Sequence, residues 1–141
     1  MCEKYGVEMV FGKEVDQKFI AEKQPDVLII ATGSIPIIPK IKGIDGANIK
    51  QANKVLLGEP VIGKVLVIDG GLVGVETAEY CTDYCDQVTI VEMMPAVAPD
   101  MYFTVREAMM DRFKNEGIII STNTKVLEFT ETGIICEFSG E

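Results

Sequence analysis

No histidine occurs anywhere in the 141 residues. That single absence removes the commonest general base and the commonest metal ligand, so any chemistry here has to be borrowed from a cofactor. C-x-x-C pairs are also missing. Cys2, Cys81, Cys85 and Cys136 stand apart, which argues against a zinc ribbon or a thioredoxin-type redox pair and leaves four reduced thiols as the expectation. Positive charge is scarce, with 13 basic against 22 acidic residues, a net charge of -9 and no basic run longer than a pair. Nucleic acid and anionic membrane surfaces are therefore excluded as partners, because both need a concentrated positive field, and the acidity serves solubility. No apolar run approaches the roughly 18 residues of a membrane span. The opening "MCEKYGVEMVFGKEV" lacks the regions of a signal peptide, so the chain is read as cytoplasmic.

What is present is globular composition, 48% hydrophobic and 25% charged, in a length suited to a compact domain with a real core. The apolar pattern predicts a short strand over residues 6–11, an amphipathic helix over 16–24 and a buried strand over 26–33, a β-α-β order. Residues 34–63 then hold Pro36, Pro39, Pro60 and several glycines, with a brief helix around 51–57. So long a connection marks a domain boundary, placed between residues 58 and 59.

A second β-α-β unit begins at Lys64. "KVLVID" is apolar enough for a strand covered on both faces, a helix runs to about Cys85, and "QVTIVE" is the next strand. A helix over 102–115 carries Tyr102, Val105, Met109 and Phe113 on one face as core. "GIIIS" is a third parallel strand. "KVLEFT" and "GIICEF" form an antiparallel hairpin with Gly133 supplying the turn. The fold class is thus α/β, a Rossmann-like parallel sheet with a C-terminal antiparallel hairpin.

"VLVIDGGLVGVETAEY" carries the most specific signal. A buried strand leads into glycines and then a helix, the layout that cradles a dinucleotide pyrophosphate. Gly71 lets the backbone approach the phosphates and Gly74 lets the helix press on the strand. The free N–H groups at the helix start, from Leu72 and Val73 onward, point at the anion. Glu92 follows Gly71 by 21 residues at the end of the second strand, where a carboxylate accepts hydrogen bonds from the adenosine ribose. Met93 and Met94 come next rather than arginine, so a 2'-phosphate would be repelled and NAD(H) is favoured over NADP(H). Gly74, Ala78, Cys81 and Cys85 make a small-residue helix face for packing on the sheet. Glu76 and Glu79 suit the helix dipole, and Glu76 could also face the nicotinamide half. A tight turn and a solvated glutamate with no ligand is the alternative.

Together with "PDVLIIATGSIPIIPKIKGID" and "VTIVEMMPAVAPDM", this stretch resembles the C-terminal region of the NADH:flavin oxidoreductase and 2,4-dienoyl-CoA reductase family, within the wider pyridine-nucleotide flavoproteins. The resemblance runs through essentially the whole chain. It implies that Ala31, Thr32 and Gly33 match an A-T-G motif beside FAD, while Gly70, Gly71, Gly74, Glu76 and Glu92 match nucleotide-binding positions. It implies further that FMN and an iron-sulfur cluster belong to a TIM barrel of the full-length parent, whose remaining domains are partners. No preceding FAD fingerprint is present and the chain runs out at Gly140 and Glu141 before the expected return strands. A fragment is therefore expected, with residues 1–58 a flavin-domain remnant and 59–141 the NAD(H) domain. A standalone nucleotide-binding module and an inert structural piece, whose apolar edges drive homo-oligomer formation, stay open as alternatives.

One residue departs from the fingerprint. Asp69 stands where its first glycine belongs, an anion beside the pyrophosphate seat. The position mainly demands an unusual backbone conformation, which aspartate tolerates better than most residues. The expectation is weakened binding, by about 1 to 3 kcal/mol for a close charge pair at intermediate dielectric.

Overall fold

A computed structural model of the chain describes residues 3–139. Cys2, Gly140 and Glu141 lie outside the described residues. The chain divides into two compact units, one ending at Ile37 and the other beginning at Ile38.

In the first unit a 3-10 turn (Glu3–Tyr5) precedes helix α1 (Gln17–Lys23). Asp16 caps α1, its Oδ1 accepting from the Phe19 N–H at 2.8 Å. Neither strand expected in this region forms. Residues 7–11 and 26–33 are without regular strand structure, and Phe11 and Ile29 are each 83% exposed. Both stretches have strand composition, but a strand exists only when a second edge accepts its ladder, and no described residue pairs with either.

The second unit contains helix α2 (Ala52–Leu56), strand β1 (Lys64–Ile68), helix α3 (Leu72–Thr82), strand β2 (Gln87–Val91), helix α4 (Phe103–Glu116) and strands β3 (Ile119–Ser121), β4 (Thr124–Thr130) and β5 (Gly133–Phe138). β1, β2 and β3 make a parallel sheet in that order, with Val67 opposite Ile90 and Ile90 opposite Ile120. β4 and β5 make a separate antiparallel hairpin, with a register shift between Val126 and Glu128. This is the α/β arrangement anticipated.

The core follows from the alternation of strands and helices. Val67, Val88 and Ile90 of the sheet meet Val75, Ala78 and Cys81 of α3 and Met109 and Phe113 of α4. Val55 of α2 joins them, and Ile41, Ile44 and Ile49 pack with Val91, Val126 and Phe129 under the hairpin. Residues 38–58, grouped by sequence with the first segment, therefore contribute to the core of the second unit.

Three local expectations are corrected. β1 is covered fully on one face only: on the other Leu66 is 42% exposed, while Ile68 packs against the cluster of Val91, Val126 and Phe129. In α4 Met109 and Phe113 are buried, but Tyr102 and Val105 are 76% and 53% exposed. Helical spacing puts the four on one face, yet among the described residues none buries the N-cap Tyr102 or Val105 of the first turn. The hairpin turn is made by Glu131 and Thr132; Gly133 is already in β5, paired with Thr130, and needs no left-handed backbone.

Candidate nucleotide-binding site

The parallel ladder brings the end of β1 beside the end of β2, and the chain leaving β1 turns at once into α3. Asp69 begins that turn with a φ of 81°, the left-handed conformation that a first glycine would supply. Aspartate thus meets the backbone demand. Its own N–H donates to the Val91 carbonyl at 3.0 Å, extending the β1–β2 pairing by one residue.

The tightness of the turn explains Gly74. A Cβ there would fall 1.9 Å from the Asp69 carbonyl oxygen, so only glycine lets α3 approach the strand end this closely. Ala78 and Cys81, on the same helix face, are fully buried. Burial pushes the Cys81 thiol up to about 11, with neighbouring Cys85 adding to the effect, and burial also raises Cys85. These thiols are packing groups, as their spacing implied.

The first N–H groups of α3 lie ahead of the helical ladder. The first helical hydrogen bond runs from the Val75 N–H to the Gly71 carbonyl at 3.0 Å, so those of Leu72 and Val73 precede it and have no acceptor within the helix. Leu72 and Val73 side chains are about half exposed. Glu76 is exposed on the next turn, whereas Glu79 forms an ion pair with Arg112 of α4.

Glu92 is placed differently from a freely presented ribose acceptor. It is buried, and both carboxylate oxygens accept backbone donors: Oε2 from the Gly70 N–H and Oε1 from the Met94 N–H, each at 2.6 Å. The carboxylate thereby ties the glycine turn to the loop that follows β2. Each oxygen keeps a second lone pair. Met93, next to it, is 60% exposed.

Two contributors escaped sequence reading. Val97 covers Gly70, where a Cβ would fall 2.5 Å from its Cγ1, and the Ala98 N–H donates to the Gly70 carbonyl at 2.7 Å. Arg106 Nε in turn donates to the Val97 carbonyl at 2.9 Å. Pro95 and Pro99 mark this loop as irregular chain, but no local pattern announces which residue will roof the turn.

Asp69, Gly70, Gly71, Leu72, Val73, Gly74, Glu92 and Met93 are thus assembled around one turn. Ala31, Thr32 and Gly33 belong to the first unit and lie there in exposed coil, with nothing within 4 Å of a Cβ built on Gly33.

Comparison with known proteins identifies the family. An NADH oxidase of Thermoanaerobacter brockii is 42% identical over 134 residues, covering 92% of this chain and 21% of the relative. A bilirubin reductase of Mediterraneibacter gnavus is 36% identical over 132 residues, covering 93% and 21%. Among solved structures, a 2-naphthoyl-CoA reductase in complex with 2-naphthoyl-CoA superimposes with a TM-score of 0.78 at 27% identity, over 99% of this chain and 21% of that one. The chain spans about a fifth of the length of these relatives. The family described as pyridine nucleotide-disulphide oxidoreductase matches residues 3–139, and with the glycine turn, the parallel sheet and these relatives in agreement, the chain belongs to that family.

Proposed function

We propose that this chain is the NADH-binding part of a flavin-dependent oxidoreductase. The observation that carries the reading is the turn itself: β1 delivers Asp69 in the left-handed conformation, Gly74 lets α3 abut the strand, and the unpaired N–H groups of α3 open where Gly71 presents no side chain. Such an arrangement fits the pyrophosphate of a dinucleotide. In this reading a remaining lone pair of Glu92 would accept from the adenosine ribose hydroxyls, and a carboxylate there disfavours NADPH.

The chain's own residues hold and orient the dinucleotide; none acts as general acid, base or nucleophile. FAD, when bound in the complete protein, would accept the hydride and send electrons on to an FMN and iron-sulfur barrel that reduces an enoate or enoyl-CoA-like acceptor. The names of the similar proteins, a bilirubin reductase and a 2-naphthoyl-CoA reductase, support a reductase of this kind. The 2,4-dienoyl-CoA reductase affiliation, the flavin contact of Ala31, Thr32 and Gly33, and the approach of Glu76 to the nicotinamide belong to the same proposal.

A fluorescence titration with NADH tests it, with NADPH alongside and FAD as a control. Saturable NADH binding, weaker NADPH binding and no retained flavin are expected. No binding of either nucleotide at millimolar concentration would overturn the reading.

A further inference from the structure

The carboxylate of Asp69 does not point away from the turn. Its Oδ1 accepts from the Gly71 N–H at 2.9 Å. The same oxygen is 3.3 Å from where a Cβ on Gly71 would lie, so it stands over the face that glycine leaves bare for a phosphate. Asp69 is solvent-exposed, and no ion pair among the described residues involves it. An unneutralised anion, held by this one hydrogen bond, thus occupies one of the N–H donors of the cradle.

From this we infer that Asp69 is a displaceable occupant of the phosphate seat and the residue that sets how strongly the site discriminates among adenine ligands by phosphate charge. The inference rests on the dinucleotide site proposed above and deepens it. In the free protein the carboxylate gives the Gly71 N–H a charge-assisted acceptor. A pyrophosphate arriving at the turn has to expel that acceptor and then remain near it, whereas a ligand without phosphates meets neither cost. Because the carboxylate is exposed, it can rotate into water when displaced, so binding is weakened rather than prevented. Repulsion of this kind is screened by salt.

Calorimetric titration of the 141-residue chain with NADH, ADP-ribose and adenosine tests this. Asp69→Gly suits the left-handed backbone and removes the carboxylate; Asp69→Asn also tolerates that conformation, keeps an Oδ1 acceptor and removes only the charge. Both variants should bind NADH and ADP-ribose more tightly, Asp69→Gly by about fivefold to a hundredfold, the span of a close charge pair at intermediate dielectric. Adenosine affinity should stay unchanged, and the gain for NADH should shrink as salt is raised. Circular dichroism of each variant checks that the fold is kept. Wild-type binding of NADH that both variants leave unchanged or weaken would overturn this inference alone. Tightening of adenosine by the same factor would also overturn it, since the effect would not be one of phosphate charge. Failure of wild type and both variants to bind NADH or ADP-ribose would overturn the site reading and this inference with it.

Discussion

A Cβ on Gly74 would fall 1.9 Å from the Asp69 carbonyl oxygen, whereas one on Gly71 would first meet the Asp69 carboxylate, at 3.3 Å. The first contact is with backbone that cannot yield; the second is with the end of a side chain that can rotate. Gly74→Ala is therefore expected to cost about 3 kcal/mol of stability, at the upper end of overpacking. Gly71 has φ -67° and ψ -177°, a conformation alanine adopts freely, so Gly71→Ala should cost under about 1 kcal/mol. It should nevertheless weaken NADH binding, because its methyl group enters the phosphate seat. Urea midpoints and NADH titrations of the two variants separate the roles. Equal losses of stability would show that the turn is not as close as its geometry indicates.

Helix α4 shows what periodicity conveys and what it leaves out. Tyr102, Val105, Met109 and Phe113 share a face by spacing, and Met109 and Phe113 are buried while Tyr102 and Val105 are not. Phe113→Ala should cost about 3 to 5 kcal/mol as a cavity in a packed core. Tyr102→Ala and Val105→Ala should each stay within about 0.5 kcal/mol, as exposed substitutions do. Thermal denaturation of the three variants checks the division, and a large loss at Tyr102 would return it to the core. The same limit governed the strands expected at 6–11 and 26–33. Apolar composition is local, but the edge that turns it into a strand comes from elsewhere in the chain. The candidate turn was legible for the opposite reason, since positive φ at Asp69 and close approach at Gly74 are demands written within a few consecutive residues. Val97 over Gly70 was not legible, because the pairing joins residues brought together only by folding.

Taken whole, the molecule concentrates its regular hydrogen bonding and buried side chains after Ile38. The parallel ladder of β1, β2 and β3 and the core around Ile90 and Phe113 lie there, while Val27, Ile29 and Ile30 in the first unit are each more than 75% exposed. Hydrogen exchange should reflect this unevenness. Amides of β1 and β2 are expected to exchange slowly, near the global opening limit, and those of residues 26–33 at close to the rate of unprotected chain. Slow exchange across 26–33 would mean that these residues find a strand partner in solution, and the apolar side chains a cover.

The clasp made by Glu92 bears on how coenzyme choice can drift. Its two oxygens satisfy the Gly70 and Met94 N–H groups, the first bond buried and the second part-buried. A change from NADH toward NADPH would ordinarily begin by replacing the acidic residue at this position. Here that replacement strands the buried Gly70 donor, at about 1 to 3 kcal/mol, and frees the part-buried Met94 donor as well. On the proposed reading of the site, folding thereby acts as a ratchet on coenzyme preference: the acid is exchanged readily only after another acceptor has taken over its two donors. A lineage carrying this turn would more readily acquire a cation beside Glu92 than lose the carboxylate.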